Sequence, residues 1–362
     1  MYPVTEPSKK SFPEWRAAAV FDARLLRGRG DVRDREIRRL GQAIERWGFF
    51  ELHNHGVDHQ SRQDLLAAQR AFFALPDAQK RSLQRTAINA RGYNPEELTK
   101  NRLDAKEIFD VGHKPDPLAA DDALVNRVVD GWNQMPEDIA IREPIWRWFN
   151  LCEPLAIEVY GWLLQALGAR DALAAHTNHH TSFLRLNAYS DAQQKEQSKN
   201  EKVESEKVES EDADSMVPLG IHRHTDAGLL TLLIEDGHHA LQVLHAGQWR
   251  TIEPSPNAFI VNTGDMLQVL SNDRFIAPEH RVLGSVAGQY RLSAAYFFNP
   301  PYDQIIQALP SEDKDLTFDA PRYQSFTWEA FRRRRGAGDY EDLGEEVQIS
   351  HYRVPGRDRA KF

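Results

Sequence analysis

Two alternating runs in this chain leave few choices of architecture. FLRLNAYS (183–190) and YRLSAAYFF (290–298) both switch between polar and apolar residues with a period of two. That period marks a strand whose two faces meet different surroundings. In the first run Arg185, Asn187 and Tyr189 share one face, and Leu184, Leu186 and Ala188 the other. In the second, Arg291 and Ser293 oppose Leu292 and Ala294. Polar-in, apolar-out strands are expected where a barrel lines a ligand cavity. From 218 to 299, further short strand-like runs alternate with Gly, Pro, Asn and Asp turns, the rhythm of a jelly roll.

Helical spacing appears on either side of this stretch. Ile37, Leu40, Ile44 and Trp47 predict an amphipathic helix over 34–47, followed by a strand at FFELH (49–53). A second helix is predicted over 61–74, stopped by Pro76. A third, over 144–167, is apolar, bends at Pro154 and braces the outside of the sheet. A last helix is expected from about 327. Residues 1–16 read as a loose polar arm. The expected fold is mainly β with flanking helices, a double-stranded β-helix (jelly-roll) core with an N-terminal mixed region. We expect an N-terminal region over 1–140, the core over 141–310 and a helical extension over 311–362.

The core carries one unusual interruption. Residues 191–215 repeat EKVES in tandem and hold nine acidic residues against four lysines, a net of −5 within a chain of net charge −9. Only four of these 25 residues are apolar, all Ala or Val. Such a segment cannot bury enough surface to offset the entropy of ordering it, so it reads as a tolerated surface insert. The acidic balance argues against nucleic acid as a partner. With no apolar run of 18 residues and no signal-like N-terminus, no membrane association is expected. The single cysteine, Cys152, excludes a disulfide framework and suits a reducing, cytoplasmic setting.

The chemistry concentrates in GIHRHTDAGLLTLL (220–233). His224 and Asp226 are two residues apart and would project together from a strand. His280, in PEHRV, is the expected third ligand. Two imidazoles and one carboxylate that leave half a coordination sphere open form the arrangement of Fe(II) oxygenases; zinc favours a closed or nearly closed tetrahedron. A His222/His224 pair is a rival set, but supplies no carboxylate. Arg291 beside Ser293 makes a clamp for a carboxylate. Taken alone, Arg291 suits a buried ion pair equally well, and a lone tyrosine such as Tyr189 is more often part of a core. His176, His179 and His180, ahead of a strand, read as surface or capping residues.

Beyond these, the order of motifs resembles the Fe(II)/2-oxoglutarate-dependent dioxygenases of the isopenicillin N synthase-like superfamily. The matching pieces are HTD (224–226), GLLTLL (228–233), ALQVL (240–244), VNTGDMLQVLSN (261–272), HRV (280–282) and RLS (291–293). Ahead of them stand WGFFELHNHGV (47–57), AFFALP (71–76), RGY (91–93), KEIFDVG (106–112) and WNQMP (132–136). The resemblance implies that His224, Asp226 and His280 bind Fe(II). It implies that Arg291, Ser293, Tyr189 and Asn187 hold 2-oxoglutarate. Where the family usually has a proline after the tyrosine, this chain has Ser190. The implied reaction is oxidation of a small-molecule substrate by O2, with hydroxylation as the expected outcome. Reducing O2 takes four electrons; the substrate gives two, and the 2-oxo acid gives two on conversion to succinate and CO2. Two alternatives stay open: an iron oxidase on the same fold that uses no 2-oxo acid, and a non-catalytic metal- or ligand-binding barrel. Arg91, Tyr93, Arg102, Phe109 and Phe297 are the substrate-contact candidates. A cationic contact from Arg91 or Arg102 would favour an acidic substrate.

Overall fold

The computed structural model describes residues 15–16, 19–86, 89–100, 102–113, 131–190, 219–285, 289–310, 320–338 and 347–357. The acidic insert at 191–215 therefore lies outside the described residues. In chain order the elements begin with β1 (Val20–Asp22), α1 (Gly30–Trp47), β2 (Phe49–His53) and α2 (His59–Phe73). Then come β3 (Gly92–Asn94), the short hairpin β4 (Leu98–Thr99) and β5 (Arg102–Leu103), β6 (Glu107–Gly112) and α3 (Ile139–Leu167). The remainder comprises β7 (Phe183–Tyr189), β8 (Leu219–His224), β9 (Leu230–Glu235), β10 (Leu241–His245), β11 (Gln248–Thr251), β12 (Phe259–Thr263), α4 (Asp265–Leu270), β13 (His280–Leu283), β14 (Arg291–Phe298) and α5 (Trp328–Gly338).

The strands form two main sheets. The larger has the order β1-β2-β12-β9-β14-β7-β6-β3, the smaller β11-β10-β13-β8. Every pairing in them is antiparallel except β1 with β2. A cavity lies between the sheets, lined from both. This is the jelly roll expected from the strand rhythm. Strands from the first 112 residues extend the larger sheet at both edges.

The two alternating runs are hydrogen-bonded neighbours. In the antiparallel register of β14 with β7, Arg291 stands opposite Tyr189 and Ser293 opposite Asn187. Their polar faces line the cavity together. Their apolar faces meet α3, where Phe149 packs on Tyr296 (5.3 Å between ring centroids) and Tyr160 on Phe298 (5.6 Å). Trp148 of the same helix meets Phe259 of β12. The helix braces the sheet as expected. It starts at Ile139, earlier than expected, because the Asp138 side chain accepts the Ala140 N–H and caps it. It continues through Pro144 and Pro154 to Gly168, whose φ of 69° suits a left-handed C-cap.

Two local expectations need correction. Trp15, assigned to a loose arm, is buried in the core. His176 and His180 are buried rather than superficial, because His176 bonds Tyr160 and His180 bonds Glu153.

The last helix closes one side of the cavity. Trp328 donates its indole N–H to Thr181 Oγ1 at 2.8 Å, and Trp328, Arg332 and Arg335 line the cavity. Behind the helix, Arg353 pairs with buried Asp273 at 2.8 Å, and Tyr323 bonds the same carboxylate.

Candidate metal centre and carboxylate clamp

β8 ends at His224, so Asp226 is not its strand neighbour in the sense that the spacing predicts. The carboxylate sits in the loop between β8 and β9. Tight backbone packing turns it back toward the cavity. Asp265 N–H donates to the Asp226 carbonyl at 2.7 Å, where α4 begins. At Gly264, a Cβ would come within 2.3 Å of the Gly228 carbonyl and 2.8 Å of the Asp226 carbonyl, so only glycine permits this approach. His280 arrives through register: in the β13–β8 pair it stands directly opposite His224.

The ligand atoms that His224, Asp226 and His280 could offer a metal lie within 4.8 Å of one another. Asp226 Oδ1 is 3.6 Å from His224 Nε2 and 3.5 Å from His280 Nε2. Each ring is turned by its other nitrogen: His224 Nδ1 meets the His222 carbonyl at 2.7 Å, and His280 Nδ1 the Pro278 carbonyl at 3.0 Å. Those carbonyls accept only from an N–H, so in the neutral form of each ring the proton sits on Nδ1 and Nε2 is the nitrogen turned toward the carboxylate. Asp226 Oδ2 is held by Thr231 Oγ1 (2.5 Å) and Asn262 Nδ2 (2.7 Å). Burial resists the Asp226 charge, yet His280 and His224 beside it keep the carboxyl well below the usual range. Burial and His280 push His224 down; Asp226 overcomes burial and raises His280.

His222 is not part of this group. Its Nδ1 bonds buried Asp104 at 3.0 Å, and irregular β13–β8 pairing separates it from His224. The rival pair is set aside.

Across the cavity wall, Arg291 is nearly fully buried. It forms a buried ion pair and still has a nitrogen left over. Nη2 bonds Glu235 Oε1 at 2.7 Å and Nε bonds the His238 carbonyl at 2.8 Å. Nη1 is buried with no hydrogen-bond partner among the described residues. Burial opposes its charge, but Glu235 more than compensates. The guanidinium lies 4.7 Å from the Tyr189 ring. Ser293 Oγ lies 3.3 Å from Asn187 Nδ2 and 3.4 Å from Tyr189 Oη. A buried donor without an acceptor is costly, and it marks where an anionic ligand group fits.

Sequence reasoning missed Thr231, Asn262 and Glu235. A signal was present: each is a polar residue within a strand otherwise apolar, in LTLLIE and FIVNT. Thr231 and Asn262 are also register partners.

Of the substrate-contact candidates, Phe297 lines the cavity, while the other four do not. Phe109 is core, 4.2 Å from Phe72. Tyr93 is buried against Phe72 and Lys80. Arg91 lies behind the wall, 4.7 Å from the Phe183 ring. Arg102 is exposed on the β4–β5 hairpin. The lining near Phe297 comes instead from Phe183, Arg185, Trp328 and Arg332. Arg185 is fixed there by Asp110 and Glu97.

Comparison with known proteins agrees with this geometry. The sequence model described as the 2OG-Fe(II) oxygenase superfamily matches residues 182–300, and that of the non-haem dioxygenase N-terminal region matches 19–138. The chain is 31% identical to jasmonate-induced oxygenase 4 of Arabidopsis thaliana over 79% of this chain and 76% of the relative. It is 30% identical to gibberellin 2-beta-dioxygenase 4 of the same plant, over 81% and 84%. Among solved structures, the rice dioxygenase for auxin oxidation superposes with a TM-score of 0.67 at 28% identity, covering 93% of this chain and 99% of that one. JOX2, solved in complex with 2OG, Fe and JA, gives 0.72 at 24% identity over 98% and 99%, a likeness of fold.

Proposed function

The chain belongs to the 2OG-Fe(II) oxygenase superfamily, and on that premise we propose which residues do its work. It is a 2-oxoglutarate-dependent dioxygenase that uses Fe(II). His224, Asp226 and His280 hold the iron. Arg291, with Ser293, Tyr189 and Asn187, holds the far carboxylate of 2-oxoglutarate. The observation that carries this reading is a convergence on one cavity: two imidazoles and a carboxylate within ligand distance, facing a wall where Arg291 Nη1 lacks an acceptor. The donor set suits Fe(II), and the unpartnered guanidinium nitrogen suits a carboxylate.

Bound together, iron and 2-oxoglutarate supply the oxidising power drawn from O2. The protein's part is placement. The His222 and Pro278 carbonyls take the Nδ1 protons and turn each Nε2 toward the metal position. Thr231 and Asn262 fix Oδ2 and leave Oδ1 for the metal. Glu235 aims Arg291 and keeps it charged. Phe183, Phe297 and Trp328 make an apolar wall that limits water at the site. Losing one of the donors to Asp226, as in Thr231→Val or Asn262→Leu, is expected to weaken Fe(II) binding about 10–100-fold, measured anaerobically by metal competition.

The substrate is a small molecule with an anionic group. Arg332 and Arg335 line the cavity from α5; Lys106, Arg185 and Arg291 also line it, held respectively by Glu97 and Asp104, by Glu97 and Asp110, and by Glu235. The acidic preference expected of Arg91 or Arg102 thus passes to Arg332. We further propose hydroxylation as the reaction, and a reducing, cytoplasmic setting that suits the buried free thiol of Cys152. Among the described residues, no helix is long and apolar enough to cross a membrane.

The test is anaerobic loading with Fe(II) and 2-oxoglutarate, followed by a substrate screen that reads succinate release. Succinate should appear only with both present, and carboxylate substrates should outperform their amide analogues. O2 uptake that ignores 2-oxoglutarate would remove the functional reading. Equal turnover of acids and amides would remove only the substrate class.

A further inference from the structure

A second cluster with ligand chemistry lies outside the cavity. His113 directly follows β6, His180 lies three positions before β7, and Glu153 lies midway along α3. Gly112 and Phe183 are register partners in the β6–β7 pair, so the two histidines emerge at the same end of the sheet. The helix that braces that sheet brings the carboxylate to them.

We propose that His113, Glu153 and His180 form a second divalent-cation site, of the zinc type, that ties this end of the sheet to α3. Their ligand atoms lie within 4.8 Å of one another. His113 Nε2 is 3.2 Å from His180 Nδ1 and 3.4 Å from Glu153 Oε1. His180 Nε2 is 2.9 Å from the same carboxylate oxygen. With His113 Nε2, His180 Nδ1 and Glu153 Oε1 as the ligand atoms, the two His113 separations are close to the roughly 3.4 Å between donors on a tetrahedral ion with bonds of about 2.0–2.1 Å, and His180 Nε2 is left to hold the carboxylate. His180 is 4% exposed while Glu153 and His113 are 29% and 40% exposed, so the inner ligand is fixed and the outer edge is open to a water ligand. Phe149 and Phe298 wall the imidazoles at 5.2 Å, which restricts their rotation.

Charge points the same way. Burial, with His180 beside it, holds His113 down to about 4, so the ring carries no charge at neutral pH. The hydrogen bond from His180 keeps the Glu153 carboxyl below its ordinary range. A neutral imidazole next to a carboxylate accepts a cation at little cost in competing protons. Two imidazoles and one carboxylate also occur at the iron centre, but here the flanking groups are helix and sheet edge rather than a cavity.

Cobalt(II) separates the two sites, because four- or five-coordinate Co(II) absorbs visible light far more strongly than six-coordinate Co(II). The full-length protein, stripped by chelation and titrated anaerobically with Co(II), should take two equivalents, one of them strongly coloured. His113→Gln, at a half-exposed position, should lose the coloured equivalent and retain 2-oxoglutarate-dependent turnover. Asp226→Ala should keep the colour. Glu153→Gln should match His113→Gln. In the Asp226→Ala background Zn(II) should still raise the melting temperature, and adding His113→Gln should abolish that rise. A single equivalent, lost in Asp226→Ala and unchanged in His113→Gln, would overturn the second site and leave the functional reading intact.

Discussion

Asp226→Ala is expected to leave a folded protein with no detectable turnover and no tight Fe(II) binding. The carboxylate is the sole anionic ligand of the three, and its loss leaves two neutral imidazoles that bind Fe(II) weakly. The fold should persist because Asp226 contributes to the backbone through its carbonyl, which Asp265 N–H still reaches. The one local cost is Thr231 and Asn262, which lose their shared acceptor. Circular dichroism and a melting curve, alongside anaerobic Fe(II) titration, separate the two effects. Activity within a few-fold of the parent would reject the ligand assignment.

Arg291→Ala is the second large effect, and it should fall on the cosubstrate. Truncating one partner of a buried charge pair costs about 2–5 kcal/mol, so the 2-oxoglutarate KM should rise by roughly 30- to 5000-fold. Part of that belongs to Glu235, left buried without its cation. Arg291→Lys distinguishes the contributions. Lysine restores a positive charge to Glu235 but lacks the planar fork that grips a carboxylate. It should recover thermal stability while 2-oxoglutarate binding stays weak. Iron affinity measured without 2-oxoglutarate should hardly change in either variant. A 2-oxoglutarate KM unchanged in Arg291→Ala would exclude it from the clamp.

The parts of this fold written in alternation were legible. The faces of β7 and β14 followed from period two alone, because one face meets α3 and the other the cavity. The helices followed from apolar spacing, with ends set by caps such as Asp138 and Gly168 that lie outside the periodic run. The site was legible less evenly. His224 and Asp226 were paired on a strand argument that fails at the last strand residue, since a turn and not a pleat presents the carboxylate. The place of His280 depends on the register of strands 56 positions apart in sequence, which spacing cannot report. Substrate contacts were the least legible. Arg91, Tyr93 and Phe109 belong to a short strand region whose inward faces are filled by core packing, and the wall they were assigned to is supplied by α5.

That wall has a consequence of its own. Trp328, Arg332 and Arg335 belong to a helix that reaches Thr181 just before β7, the Phe183 ring in β7 and, through Arg335, the Thr225 carbonyl between His224 and Asp226. Substitutions at Trp328 or Arg332 are expected to change which molecules are accepted while His224, Asp226 and His280 keep their places. Arg335 is the exception: it holds the Thr225 carbonyl, so one end of the helix tunes preference and the other is tied to the reactive centre.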